Sequence, residues 1–580
     1  MLHRVTQRID RFTGQWRAHA GIIQAGFAAV ALSLGLWGWS VHKPAHDLAG
    51  QASNLFRTLQ LVTLQFPTEF DRSLPWQLHI ARLLVPLTAL AASLHIIVGA
   101  ATRPARLALM PRARDHIIVC GAEQLTERAL RRLAEEGERM VVTLGPPMDP
   151  GRRETLEGMG MTVVEGDSRE PATLRSLGLA NAAALFLTGE DDVANLNIAM
   201  LAIDAAKART PGRQPLVLGV LVEDERLATE LDTAMDGLSR AAGIRYHRLC
   251  PDREGVRLEL AHHAPVFRKT NPDQRTHMLV LGLMGRWEQV LAQLVVAGQD
   301  HPVLRPLISL VLTPEEEAEL AAWQADRPEL DLIAEFAVLS AGTALLPAVA
   351  TLDAWRAAHP APQLAVVLRP DSAALGTALA LRRPGSALRL TEGMPILVRQ
   401  AREDHLLAAL SAAPLEHGRF ANLRAFGGLL RPESIGRVLD REGEAMAIAL
   451  HAAYQDATRA LPPGRPDSIA AWDALPENLR DANRAAAEHA PLLLAAAGLR
   501  PGDAADEAAI ERMTRIEHRR WMADRIDRGW RHALTRNNLL LHHPSLRDYD
   551  ALPNDEQEKD RSQVRTVLRL MAAQAGWPQR

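Results

Sequence analysis

Two stretches near the start of the chain carry no charged residue: Gly21 to Val41, "GIIQAGFAAVALSLGLWGWSV", and Leu83 to Thr102, "LLVPLTALAASLHIIVGAAT". A bilayer core needs roughly 20 apolar residues, so each run predicts a membrane helix. The first is longer than the apolar stretch of a secretory signal, about 7–15 residues. Beyond the linker "ATRPARLALMPRAR" the pattern becomes short apolar runs that alternate with amphipathic stretches. "HIIVCG", "RMVVTLG", "MTVVEGD", "AAALFLTGEDD" and "PLVLGVLVED" read as buried strands leading into polar turns. Strands alternating with helices predict a parallel sheet covered on both faces. A second, looser series runs through "HMLVLGLMGRWEQVLAQLVVAG", "PLISLVLTPEEEAEL", "QLAVVLRPDSAALGTALALRR" and "MPILVRQARED". After about Phe420 helical periodicity takes over, broken by "LPPGRPDS".

Charge orients the two predicted spans. Arg4, Arg8, Arg11 and Arg17 precede the first; Arg103, Arg106, Arg112 and Arg114 follow the second. The loop between has Lys43, Arg57, Arg72 and Arg82 as its basic residues, so positive-inside places both termini in the cytoplasm and the loop outside. Trp37 and Trp39 fall at one interface and Trp16 near the other. The expected location is a cell (inner) membrane, with the lipid bilayer as partner. His95 lies inside the second run, either a functional ionisable group or a neutral imidazole bonded to a neighbouring helix.

The outer loop contains "LFRTLQLVTLQFPTEF", with Thr63, Leu64, Gln65, Phe66 and Pro67 where a potassium channel carries Thr-Val-Gly-Tyr-Gly. That filter works through backbone carbonyls, aimed inward by dihedrals that glycine permits. Gln65 adds a side chain, and Pro67 is locked near φ −65° without an amide hydrogen. The string has a filter's position without its chemistry, so a wider or altered pore, or no pore, is expected.

Composition narrows the classes. A chain of 580 residues with 47% hydrophobic residues holds several domains, and a formal charge of −3 argues against a nucleic-acid partner. Two cysteines, Cys120 and Cys250, imply no disulfide framework, and no metal-binding or nucleophile-elbow spacing occurs. Cys120, ending a strand, reads as a small core residue. No acid–base or nucleophile set points to an enzyme.

The first strand–helix series resembles the nucleotide-binding half of RCK domains, the regulators of potassium conductance. "IIVCG", Gly166-Asp167 and "TGEDDVANLNIA" carry the resemblance, over about 115–266. It implies a Rossmann-like unit with ligand groups at the strand ends, at Gly121, Asp167 and Thr188. The dinucleotide fingerprint G-x-G-x-x-G is broken, however: Gly121 keeps the first place, but Glu123 and Thr126 hold the others. The second series has Gly282 followed by Met284 and Trp287. Ordinary NAD binding is therefore doubtful, while an adenine-type nucleotide or dinucleotide stays open at Asp167 and Thr188.

The C-terminal stretch from about Ala445 to Met571 resembles the ryanodine receptor (RyR) repeat, through the order "EHRRW…GW…HP…DYDALP…EKDR". Glu517, Arg520 and Trp521 share a helical turn and, with Trp530 and Tyr549, could stack and hydrogen-bond a nucleotide-like ligand. The plainer alternative makes the tryptophans core anchors and Glu517 a loop fastener. The expected architecture is multidomain. It comprises an α-helical two-span membrane region (1–105), tandem α/β Rossmann-like RCK domains (115–270 and a degenerate 276–415), and an all-α RyR domain (445–575). The resemblances imply a ligand-gated, potassium-channel-related membrane protein acting as a homotetramer, without an enzymatic site. The alternative is a non-conducting membrane-anchored sensor or scaffold, in the manner of a stress or defence effector.

Overall fold

A computed structural model describes residues 25–63, 65, 74–135, 141–207, 209, 214–267, 274–341, 349–383, 390, 393–401, 405–412, 420–440, 444–458, 470–537 and 540–575. The chain divides into two compact units, Met1–His116 with Glu136–Val142 and Pro146–Ala182, and Ile117–Glu135 with Thr143–Gly145 and Ala183–Arg580.

In the first unit a helix over Ala25–His42 is followed by a short helix, Leu48–Gln60, a 3-10 turn, Leu61–Thr63, and a long helix, Trp76–Leu109. Asp47 starts the short helix, its carboxylate accepting from the Gly50 N–H at 2.9 Å. Glycines let the helices approach closely. A Cβ on Gly38 would lie 2.6 Å from Leu78, and one on Gly35 2.5 Å from Thr58. Polarity is inverted relative to a water-soluble bundle: Asn54, Thr58 and Trp39 are buried, whereas Phe27, Val30, Leu83, Leu87 and Leu90 face outward, each more than half exposed. Such an apolar exterior suits lipid. Among the described residues one helix, Ala25–His42, is long and apolar enough to count as a candidate span. The second expected span falls on the 34-residue helix Trp76–Leu109, of which residues 94–109 are described as backbone only; His95 lies there.

Two parallel sheets follow. The first has β1 (Ile117–Cys120), β2 (Val141–Gly145), β3 (Thr162–Glu165), β4 (Ala184–Leu187), β5 (Leu216–Leu221) and β6 (Ile244–Leu249), in the order β3-β2-β1-β4-β5-β6. The second has β7 (His277–Leu281), β8 (Leu307–Leu312), β9 (Glu335–Ser340), β10 (Leu364–Val367), β11 (Ile396–Arg399) and β12 (Leu423–Phe426), in the order β12-β11-β10-β7-β8-β9. Counted from its own first strand, each sheet has the doubly wound order 3-2-1-4-5-6, whose crevice opens at the carboxyl ends where the winding reverses. The tandem expected from the sequence is present, and the looser copy is a complete six-stranded sheet. Its last strand, Leu423–Phe426, lies beyond residue 415 and inside a stretch read as helical; four residues are too few for periodicity to separate strand from helix.

The C-terminal region is built from helices Ala445–Thr458, Glu477–Ala496, Glu507–Asp527 and Asn554–Ala575. Leu450, Trp472, Leu493, Met513, Ile516 and Val564 form its core. It departs from the all-α expectation by a two-stranded ribbon, Arg531–His532 with His542–His543.

Candidate functional site

In the first sheet the turn after β1 is spent on the chain itself. Gly121 takes φ +89°, and a Cβ there would lie 2.6 Å from the Gly189 nitrogen. The turn bridges to the tail of the second sheet: the Thr126 N–H donates to the Leu430 carbonyl at 3.0 Å, and the Leu430 N–H to the Gln124 carbonyl at 2.9 Å. Thr188 is fully buried. Its hydroxyl sits 2.9 Å from the Cys120 carbonyl and 2.7 Å from that of Gly121, tying β4 to the β1 turn. Its proton is engaged inside the fold. Asp167 is exposed and accepts from the Arg169 N–H at 2.9 Å and from the Arg169 guanidinium at 3.0 and 3.1 Å. Those bonds hold its carboxyl below the ordinary value.

In the outer loop, the Thr63 hydroxyl donates to the Gln60 carbonyl at 3.0 Å and the Gln65 N–H donates to the same carbonyl at 3.3 Å. Leu64, Phe66 and Pro67 lie outside the described residues.

The C-terminal region holds a cavity of about 180 Å³. Helix Glu507–Asp527 presents His518, Arg520, Trp521, Asp524 and Arg525 to it, the following segment adds Trp530, Arg536 and His543, and Lys559, Asp560 and Gln563 enter from the last helix. His451, Tyr454 and Asn483 come from the two earlier helices. Glu517 and Arg520 are both buried, 2% and 3% exposed. Arg520 forks onto the Glu517 carboxylate with Nε at 3.0 and 2.9 Å and Nη2 at 2.7 Å, and Gln563 donates to the same carboxylate at 2.6 Å. Burial alone would lower the guanidinium, but the Glu517 charge leaves it above its ordinary value. Arg520 Nη1 is buried without a hydrogen-bond partner. A buried donor left empty costs about 1–3 kcal/mol.

Arg525 is another guanidinium on this wall. Its guanidinium stands 5.9 Å from the Trp521 ring and 5.7 Å from the Trp530 ring, with no ion pair among the described residues. Burial lowers it to about 10, with the neighbouring Asp524 carboxylate opposing the shift and Arg528, Arg536 and Arg520 adding to it. The acids on the wall are already engaged: Asp524 with Arg528 at 3.2 Å, Asp560 with His518 at 3.0 Å, and Glu556 with Lys559. The unsatisfied capacity of the cavity is therefore cationic. Trp521 stacks on His518 (5.6 Å, 23°) and meets His543 edge-on at 4.9 Å.

Of the C-terminal residues singled out from the sequence, Arg520, Trp521 and Trp530 reach this cavity, and Glu517 stands behind Arg520 as its counter-ion. Tyr549 packs on the far side, under Arg515 at 4.9 Å and against His518 at 5.9 Å. Sequence reasoning missed Arg525 and Arg536. The signal available was spacing, since Arg525 follows Trp521 by four residues and so faces the same way.

Comparison with known proteins assigns a TrkA-N domain to residues 117–213 and an RyR domain to residues 503–577. No curated protein sequence matches the chain. Solved structures of GsuK are similar to it. The GsuK channel aligns at 17% identity over 73% of this chain and 98% of that one, with a TM-score of 0.34. The form bound to ADP aligns at 15% over 73% and 98%, with 0.33, and the form bound to NAD at 15% over 74% and 84%, with 0.35.

Proposed function

We propose that this chain is a membrane-anchored, channel-related protein whose C-terminal cavity senses a small anionic, nucleotide-like ligand. The carrying observation is the cavity's pair of guanidiniums: Arg520, whose buried Nη1 has no hydrogen-bond partner among the described residues, and Arg525, set against two indole rings with no ion pair among the described residues. Cation and indole faces together suit a charged group attached to a flat ring. About 180 Å³ is small beside pockets of roughly 300–1,000 Å³ that take drug-sized ligands, so one nucleobase or phosphate end would enter, not a whole dinucleotide. TrkA-N and RyR domains on one chain with an apolar N-terminal helix support a ligand-responsive membrane protein, without an enzymatic step.

In this reading residues 1–105 form the two-span, channel-like region, 115–270 and 276–415 the gating layer, and 445–575 the sensor, assembled as a homotetramer with both termini in the cytoplasm. The long–short–long helix order of the N-terminal region supports the channel relation. Gln65 and Pro67, in place of filter glycines, would make any conductance discriminate poorly between potassium and sodium.

Calorimetry of the full chain in detergent, with ADP as probe, tests the sensor. Saturable binding is expected, weakened by roughly 1.5–3 kcal/mol in Arg525→Ala, the range for hydrogen bonds to charged groups. Unchanged affinity in that variant would remove the cavity from the proposal. Planar-bilayer recordings with the same probe test the channel. Binding without conductance would favour the alternative of a non-conducting anchored sensor.

A further inference from the structure

The second sheet lacks the dinucleotide fingerprint in sequence, yet its crevice keeps the shape of an anion site. After β7 the chain turns through Gly282 at φ +85° and Gly285 at φ +71°. A Cβ on Gly285 would sit 2.2 Å from the guanidinium carbon of Arg399. Trp287 does not block the crevice: it packs into the hydrophobic layer against Trp323, ring centroids 5.7 Å apart. Two buried arginines, Arg369 and Arg399, stand at the carboxyl ends of β10 and β11, the edge where doubly wound folds place their ligands.

Both are met by carboxylates of the same chain. Glu316 accepts from Arg369 Nη1 at 2.8 Å and from the Leu283 N–H at 3.0 Å. Asp252 accepts from Arg399 Nε at 2.7 Å and the Arg286 N–H at 3.3 Å on one oxygen, and from the Gly428 N–H at 2.6 Å on the other. Gly427 and Gly428 both take left-handed φ, and a Cβ on Gly427 would lie 2.1 Å from the Asp252 oxygen. Turn N–H groups backed by two arginines are the donors a diphosphate would use. Here they hold two carboxylates.

Glu316 has a second duty, since it closes the capping box of helix Pro314–Ala325 with Thr313. Asp252 has none. It lies at the start of helix Pro251–His262. The N–H of Cys250, the residue before that helix, donates to Glu254 at 3.2 Å. The Asp252 carboxylate, 1% exposed, is turned wholly to the crevice.

We propose that the crevice of the second sheet is a diphosphate-class anion site, closed by Asp252 and Glu316 of the same chain. The helix after β6 thereby docks on the second sheet as a pseudo-ligand, and the site opens when Asp252 leaves. The test is the thermal midpoint of the full chain in detergent, with inorganic pyrophosphate against sodium chloride of equal ionic strength. Asp252→Ala should melt lower than wild type and recover several degrees more than wild type on addition of pyrophosphate. Adding Arg399→Ala should abolish that extra recovery. Asp252→Asn, which keeps the side-chain volume, carries the same reading if the alanine variant does not fold. Equal pyrophosphate shifts in wild type and variant, or an extra shift that survives loss of Arg399, would overturn the proposal. Any binding of pyrophosphate in the C-terminal cavity contributes equally to wild type and variant, so the difference reports the crevice alone.

Discussion

The sheet crevices and the C-terminal cavity differ in who supplies the partners. Around the crevices most of the named donors are paired within the chain: the β1 turn with Leu430, the Thr188 hydroxyl with two carbonyls, Arg369 Nη1 and Arg399 Nε with Glu316 and Asp252, Arg369 Nε being without a partner among the described residues. In the cavity the carboxylates Asp524 and Asp560 are engaged, Arg520 Nη1 has no hydrogen-bond partner among the described residues, and Arg525 faces two indole rings. In the proposed reading the chain closes its own sheet crevices and the helical region takes the anion. A fold's reputation does not make a site; unspent donors do.

The largest effect that would sharpen this contrast comes from Glu517→Ala. Removing the counter-ion leaves Arg520 charged and buried, and should cost about 3–5 kcal/mol in denaturant unfolding of the full chain. Asp167→Ala, on the exposed pair with Arg169, should leave the midpoint unchanged. A small loss at Glu517 would mean that water or ligand already compensates Arg520.

Next comes Gly121→Ala. A positive φ and a Cβ 2.6 Å from the Gly189 and Thr188 backbone should cost about 2–3 kcal/mol, whereas Gly145→Ala meets nothing within 4 Å and should be silent. Equal effects would show that the β1 turn is looser than its pairing with Leu430 implies.

Acid probes the sealed interior of the second sheet. His277, between the Ser309 hydroxyl and the Pro360 carbonyl, is lowered by burial to about 4. An unfolded chain's imidazole takes its proton near pH 6.5, so the folded state's advantage is full above that value and is lost as pH falls toward 4. At pH 5 the loss from this group is about 2 kcal/mol, read as a falling melting midpoint whose slope is reduced but not removed in His277→Gln, since burial also lowers His263 to about 4 and His489 to about 3. The smallest effect is chemical. Burial pushes the Cys120 and Cys250 thiols up to about 12, so iodoacetamide should label neither until the protein is unfolded.

Local pattern was enough for much of the architecture. The uncharged runs, the alternation of strand and helix, and the "EHRRW" block announced an apolar N-terminus, tandem parallel sheets and a helical C-terminus. These were legible because they depend on neighbours three or four residues apart, or on one run's length. The broken fingerprints at Glu123, Thr126, Met284 and Trp287 likewise gave reason to doubt ordinary NAD binding.

What the sequence withheld was pairing across distance. Nothing in the text around Asp252 announces Arg399, 147 residues on, nor does Gln124 announce Leu430. Glu517 and Arg520 stood together in sequence as a ligand cluster; one helical turn makes one the other's counter-ion, and tertiary burial leaves a single nitrogen over. Arg525 was hidden in a run of charges until Trp530 folded back beside it. Residue type sets which groups can bond; only the closed fold, by excluding water and limiting each donor to the acceptors within reach, decides which of them are spent.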